Sequence, residues 1–304
     1  MTSRFDNVLI VADIEGTSDC WSYEASRLFD KDWPRACVGM TRDVDAVARA
    51  LFDAGVKTLT VKDFHRTGFN ILPELMDPRV NVVHGYIKGP VPGMGNPQGA
   101  RAAMFVGLHA ATREDGFLGH TLTSRIRRLE VNGRVITEVE LFSGSLAPFG
   151  VRPVFLSGDT GACRQAESAI PGLRTFALDK SHGPDGLDID SWRRDLGRAA
   201  VDALNNASTD VFLPQGPFSA KVIFRDGESA AAKAARPWKL PMDGDAVLVE
   251  AKDFDSLYMA LIRLAYLTPL TDRLSGPALG LFNLWGRVGL AWVRRQIRKG
   301  ATDV

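Results

Sequence analysis

The sequence predicts an α/β fold: a mainly parallel sheet with flanking helices, followed by a smaller α/β unit toward the C-terminus. Three observations predict it. Short apolar, β-branched runs alternate with helical patterns over the first two-thirds of the chain, as βαβ units require. The runs are continuous rather than alternating, which suits strands covered on both faces. After a polar break at Asn205–Thr209 the alternation resumes on a smaller scale.

The first strand is Val8–Ala12. Asp43–Ala54 carries apolar residues at helical spacing and stops at Gly55, a helix C-cap signal. Thr58–Val61, Val80–Val83, Ala102–Gly107 and Pro153–Leu156 follow as strands. The last runs into the turn Ser157–Gly161 and a helix from Cys163 to Ile170, and Leu173–Leu178 reads as a sixth strand. Between the fourth and fifth, Leu122–Glu130 and Val135–Val139 flank Asn132-Gly133, a strong hairpin turn. This hairpin, over 120–139, either extends the sheet or joins the second unit. A helix over Asp188–Leu204 leads to the polar break, which divides the chain into 1–205 and 206–304. The second part reads as a strand (Ala220–Phe224), a helix around Ala230–Ala235, a strand (Ala246–Ala251) and a helix (Phe254–Leu267). It closes with an amphipathic helix over Leu279–Arg298, apolar first and cationic at its end. Trp285 and Trp292 share one of its faces, which needs cover from the body or from a neighbouring subunit.

Composition narrows the function classes. The chain has 304 residues, 45% hydrophobic and 24% charged, a globular balance that excludes wholesale disorder. Its 37 basic and 36 acidic residues give a net charge of +1, so nothing in bulk electrostatics favours nucleic acid as a partner. Cys20, Cys37 and Cys163 form neither a disulfide framework nor a CxxC knuckle, and reduced thiols point to the cytoplasm. The apolar run near the N-terminus stops at Asp13 and Glu15, too soon for a signal peptide. No stretch reaches the ~18 apolar residues of a membrane span; the nearest, 277–293, is broken by Asn283 and Arg287.

The strand ends carry the chemistry. The first strand runs into Asp13-Ile14-Glu15-Gly16, the second into Lys62-Asp63-Phe64-His65 and the fourth into Leu108-His109. Ligands of open α/β sheets bind beyond the carboxyl ends of strands. Imidazole and carboxylate together are zinc-type ligands, and one carboxylate can bridge two ions about 3.5–4 Å apart. Each residue alone is as readily a helix cap or a turn residue; four on three strand ends point to a metal site.

Val11-Ala12-Asp13-Ile14-Glu15-Gly16 resembles the S-x-D-x-E-G signature of the zinc D-aminopeptidases of the dipeptide-transport-operon type. Met40-Thr41, Val61–His65, Phe105–His109, Gly119-His120 and Thr137-Glu138 resemble that family's later motifs in order and spacing. The resemblance covers most of residues 8–165. It implies that Asp13, Glu15, His65, His109 and Glu138 are metal ligands around two zinc ions, with Asp13 bridging. It implies that His120 is the catalytic histidine, where the residues alone leave a solvated loop histidine open. For Glu138, the residues alone leave open an exposed position on the hairpin. The implied function is hydrolysis of an amide bond by a zinc-dependent aminopeptidase acting on small peptides, D-amino-acid peptides among them. A non-peptide amide or specialised metabolite is the alternative substrate, and a non-catalytic metal-binding protein a weaker one. The resemblance also implies a homo-oligomer, in this family a large ring. The family's first Ser is Val11 here, its Asn before the second Asp is Lys62, and the serines beside the histidine are Gly119 and Thr121. Around the last ligand the family has G-E-L-G-L-N, and here stands Thr137-Glu138-Val139-Glu140-Leu141-Phe142. The ligand positions match while their surroundings differ, which leaves the substrate open.

Overall fold

The computed structural model describes residues 5–300. In chain order its main elements are β1 (Asn7–Ala12), α1 (Trp33–Asp53), β2 (Thr58–Asp63), β3 (Asn81–Val83), β4 (Ala102–Leu108), β5 (Ile126–Val131), β6 (Arg134–Val135), α2 (Glu138–Leu146), β7 (Arg152–Asp159) and α3 (Thr160–Ala169). There follow β8 (Arg174–Leu178), α4 (Ile189–Asn205), β9 (Phe218–Phe224), α5 (Gly227–Ala235), β10 (Met242–Asp243), β11 (Ala246–Ala251), α6 (Phe254–Tyr266), α7 (Pro269–Arg273) and α8 (Ser275–Arg298).

Six strands form one sheet in the order β3-β2-β1-β4-β7-β8, with every pairing parallel. Its central strands are apolar throughout because both faces are covered. Val8, Ile10, Ala12, Met104 and Val106 pack with α1 and α4, whereas Leu9, Val11, Ala103 and Phe105 pack on the opposite face with α2 and α3. The two-residue period of a strand separates these two cores.

The other five strands form an antiparallel sheet, β10-β11-β9-β5-β6, which contains the hairpin. Its inner residues, among them Leu129, Val222 and Val249, merge with the α2 face of the parallel sheet into one core. Helix α2 lies at this seam, where a Cβ on Gly144 would come within 2.3 Å of the Phe254 ring. Among the described residues, no helix is long and apolar enough to cross a membrane.

Three elements differ from the sequence reading. Helix α1 begins at Trp33, ten residues early, because the buried stripe Trp33, Ala36, Cys37, Met40, Val44, Val47 and Leu51 is already helical in period. The second hairpin strand stops at Val135, and Glu138 opens helix α2 instead of continuing a strand. The cause is a capping box: Thr137 Oγ1 accepts from the Glu140 N–H (3.4 Å) and the Glu140 carboxylate accepts from the Thr137 N–H (2.8 Å). Helix α8, read with the second unit, turns back so that Leu290 and Val293 join the core of the parallel sheet beside α1.

Candidate metal centre

Strand order sets where a ligand can sit. β1 and β4 are neighbours, although the chain visits β2 and β3 between them, so connections leave this pair in opposite directions. A crevice opens beyond the carboxyl ends of such a pair. β1 delivers Asp13 and Glu15 to it, β4 delivers His109, and β2 delivers His65.

The segment after β1 is pressed against the end of β4. Asp13 N–H donates to Val106 O (2.9 Å) and Gly16 N–H to Gly107 O (2.7 Å). A Cβ at Gly16 would lie 2.1 Å from Leu108 O, and one at Gly107 (φ +82°) 2.2 Å from Asp13 O. Only glycines let the two chains close this far. From behind, Asp43 on α1 accepts from the Ser18 N–H (2.8 Å) and hydroxyl (2.7 Å), and Arg193 on α4 donates to Asp43 (2.9 Å). Lys180 donates to the carbonyls of Thr17 and Cys20 and lies 4.3 Å over the Trp21 ring. Burial pulls its ammonium down to about 8. The first two carboxylates therefore stand on a braced loop.

Each imidazole is fixed by a backbone carbonyl. His65 Nε2 is 2.8 Å from Ser26 O, His109 Nδ1 3.0 Å from Ala110 O, and His120 Nδ1 2.9 Å from Leu118 O. In the neutral rings these nitrogens carry the proton, so the other nitrogen of each presents a lone pair. His65 Nδ1 lies 3.0 Å from Asp13 Oδ1 and 4.0 Å from Glu15 Oε2. His109 Nε2 lies 3.2 Å from Glu15, 3.8 Å from Asp13 and 3.8 Å from Glu138. His120 Nε2 is 3.8 Å from Glu15 Oε2, and its ring stacks on that of His109. Glu138, at the positive end of α2, accepts from the Leu122 N–H at 2.7 Å.

All six residues are buried, none more than 8% exposed. Among the described residues no lysine or arginine pairs with Asp13, Glu15 or Glu138; their charged neighbours are the imidazoles. Burial raises the Glu138 carboxyl, against the pull of His109. Burial also opposes ionisation of Asp13, but His65 and His109 outweigh it and hold that carboxyl well below its usual range. Burial would lower His109, yet Glu138, Glu15 and Asp13 push it up to about 10. His120, buried beside His109, is driven down to about 4. The pattern is an excess of buried negative charge that lacks a permanent cation.

Three sets of donors lie within 4.8 Å of one another: Asp13, Glu15 and His65; Asp13, His109 and Glu138; and Glu15, His109 and His120. Donors at ~2.1 Å from a tetrahedral ion stand about 3.4 Å apart, the scale of these separations. Nitrogen and carboxylate oxygen without thiolate suit zinc. Asp13, Glu15 and His109 each belong to two of the sets.

The structure thus brings together all six residues singled out in the sequence. His84 lies outside the centre, stacked on Phe69, and His182 is exposed. Asp159 and Lys180, which follow strands in the sequence and read there equally as site lining or as turn and surface residues, are supports of the centre. Asp159 caps α3 and accepts from the Ala110 N–H (2.9 Å), fixing the residue after His109. Ser26 acts through its carbonyl, which leaves no side-chain signal. The Thr137-x-x-Glu140 box was legible as a helix start.

A family model described as D-aminopeptidase matches residues 7–262. A D-aminopeptidase of Bacillus subtilis (strain 168) is 24% identical over 185 residues, which is 61% of this chain and 62% of that protein, so the alignment spans about three-fifths of the relative's length. The solved structure of the Zn-dependent D-aminopeptidase DppA from Bacillus subtilis, described as a self-compartmentalizing protease, shares the fold with a TM-score of 0.78 at 21% identity. The match covers 86% of this chain and 97% of that one.

Proposed function

Because this chain belongs to the D-aminopeptidase family, we propose that it is a zinc-dependent aminopeptidase that hydrolyses the N-terminal amide bond of small peptides, D-amino-acid peptides among them. The observation that carries this reading is the set of three buried carboxylates facing three imidazole rings, each with one nitrogen turned to the centre, and among the described residues no lysine or arginine pairs with these carboxylates. Asp13, Glu15 and His65 would hold one ion and Asp13, His109 and Glu138 the other. Zinc so held would supply Lewis acidity toward a carbonyl oxygen and would make a water nucleophilic near neutral pH.

The remaining work falls to the chain. His120, neutral and donating through Nδ1 to Leu118 O, keeps the Nε2 lone pair toward the centre, so it accepts a proton there and returns it to the departing amine. In its protonated form the same nitrogen is a donor to a developing oxyanion. The burial of the six side chains keeps bulk water from the reacting groups.

The outward stripe of α7 and α8 supports a homo-oligomer: Leu270, Leu274, Leu281, Leu284 and Val288 are exposed, Leu281 at 71%. DppA, the solved relative, is described as self-compartmentalizing. Three free, buried cysteines suit a reducing cytoplasm. The test is zinc content per chain together with release of p-nitroaniline from D-alanine and L-alanine p-nitroanilides. Two zinc ions and cleavage favouring the D-isomer are expected. A chain that takes up zinc but cleaves only amides lacking a free amine would move the substrate class, and a chain that binds no zinc would overturn the proposal.

A further inference from the structure

Helix α8 lies outside the residues matched by the family model, yet it reaches the segment that borders His65. Asn283 grips the backbone of Tyr86 from 197 residues away. Its Oδ1 accepts from the Tyr86 N–H (2.9 Å) and its Nδ2 donates to the Tyr86 carbonyl (3.0 Å). A side-chain amide here occupies both hydrogen-bonding groups of one residue, as a neighbouring strand would. Phe282 adds a ring contact to Tyr86 at 5.8 Å.

Tyr86 in turn donates its hydroxyl to Phe64 O (3.0 Å), the carbonyl of the peptide bond leading into His65. The Tyr86 ring meets Phe64 edge-on at 5.3 Å, and Phe64 meets Phe142 of α2 at 4.7 Å. Gly85 and Tyr86 are also held by the buried ammonium of Lys62, which donates to Gly85 O and lies 5.6 Å over the Tyr86 ring. Gly85 N–H donates to Gly68 O (2.7 Å). Helix α8 comes close enough because Gly286 has no side chain: a Cβ there would sit 2.2 Å from the Phe69 ring.

We infer that Asn283 and Tyr86 are positioning residues for the metal centre, transmitting the docking of α8 to the peptide that orients His65. The inference rests on the zinc reading above. Groups behind a metal-ligating imidazole typically change metal affinity about 10–100-fold when removed. Asn283→Ala and Tyr86→Phe should each weaken binding of the zinc ion held by His65 by about tenfold or more, with the other ion retained. The double variant should be no worse than the weaker single one, since both lie on one path. Leu290→Ala provides the contrast. It removes buried apolar contact from the same helix about two turns beyond Asn283, so it should lower Tm and leave both zinc affinities intact.

The measurement is zinc titration of the full chain against a competing chelator, alongside thermal denaturation. A wild-type chain that takes up no zinc would overturn the zinc reading and this inference together. Normal wild-type binding with unchanged affinity in Asn283→Ala and Tyr86→Phe would overturn the inference alone. So would an equal loss of affinity in Leu290→Ala, because the helix would then act only through stability.

Discussion

The imidazoles of His109 and His120 are stacked, with ring centroids 4.2 Å apart and 17° between their planes. Each ring turns one nitrogen to a backbone carbonyl and the other toward Glu15, so the two histidines address the same carboxylate from adjacent levels.

That geometry separates their roles. His120→Ala should keep both zinc ions and lose activity by about 10²–10⁴-fold, as for a general acid–base group. Metal content and turnover measured on the same sample decide it. Loss of one zinc equivalent in this variant would make His120 a ligand, as its grouping with Glu15 and His109 allows.

The shared position of Asp13 gives a stoichiometric signature. Asp13→Ala should lose both ions, whereas His65→Ala and Glu138→Ala should each lose one. Native mass spectrometry reads the count directly. One ion remaining in Asp13→Ala would show that Asp13 does not bridge.

Metal removal should lower stability, because a cation relieves crowding among buried carboxylates. Zinc at about 100 times its Kd contributes about 2.7 kcal/mol, or roughly 4 °C in Tm for a chain of this size. Differential scanning fluorimetry with and without a chelator checks it. Unchanged Tm in a zinc-binding chain would mean that the unfolded chain binds zinc equally well.

Lys62 gives a pH signature away from the ions. Burial lowers its ammonium from 10.5 to about 8. Between these values the unfolded chain binds more protons than the folded one, so stability rises with pH across that window. Relative to Lys62→Met, the wild type should gain about 3 kcal/mol from pH 8 to pH 10.5. Urea denaturation of both chains at several pH values measures the difference, and parallel curves would contradict it.

Helix α8 predicts the assembly. Leu281→Glu with Leu284→Glu places charge on its outward stripe and spares the packed face of Gly286, Leu290 and Val293. The oligomer should shift to smaller species by light scattering, with Tm little changed. An unaltered oligomer accompanied by loss of liposome binding would assign the stripe to a membrane surface instead.

What the sequence revealed follows from what is local. β1 and β4 were legible because doubly covered strands are continuous apolar runs, and Asp13, Glu15, His65 and His109 because each follows such a run directly. Glu138 was read as a strand residue although a helix start was legible: Asn132-Gly133 is a strong hairpin signal, and a strand was carried through Val135 past the Thr137-x-x-Glu140 capping box that ends it. Trp33–Met40 was overlooked as helix because Pro34 and Gly39 mask a stripe that is buried from its first residue. The grip of Asn283 on Tyr86 had no local trace at all, since nothing near either residue encodes the return of α8.

Helix α2 brings one donor to the centre from the seam between the two sheets, while the strand ends of the parallel sheet bring Asp13, Glu15, His65 and His109. An ion held by Asp13, His109 and Glu138 would therefore also fasten the two sheets together. By linkage, whatever free energy the seam lends to that ion the ion returns to the seam. Loosening the packing of Gly144 against Phe254, further along α2 from Glu138, would then appear as weaker binding of one ion and not the other.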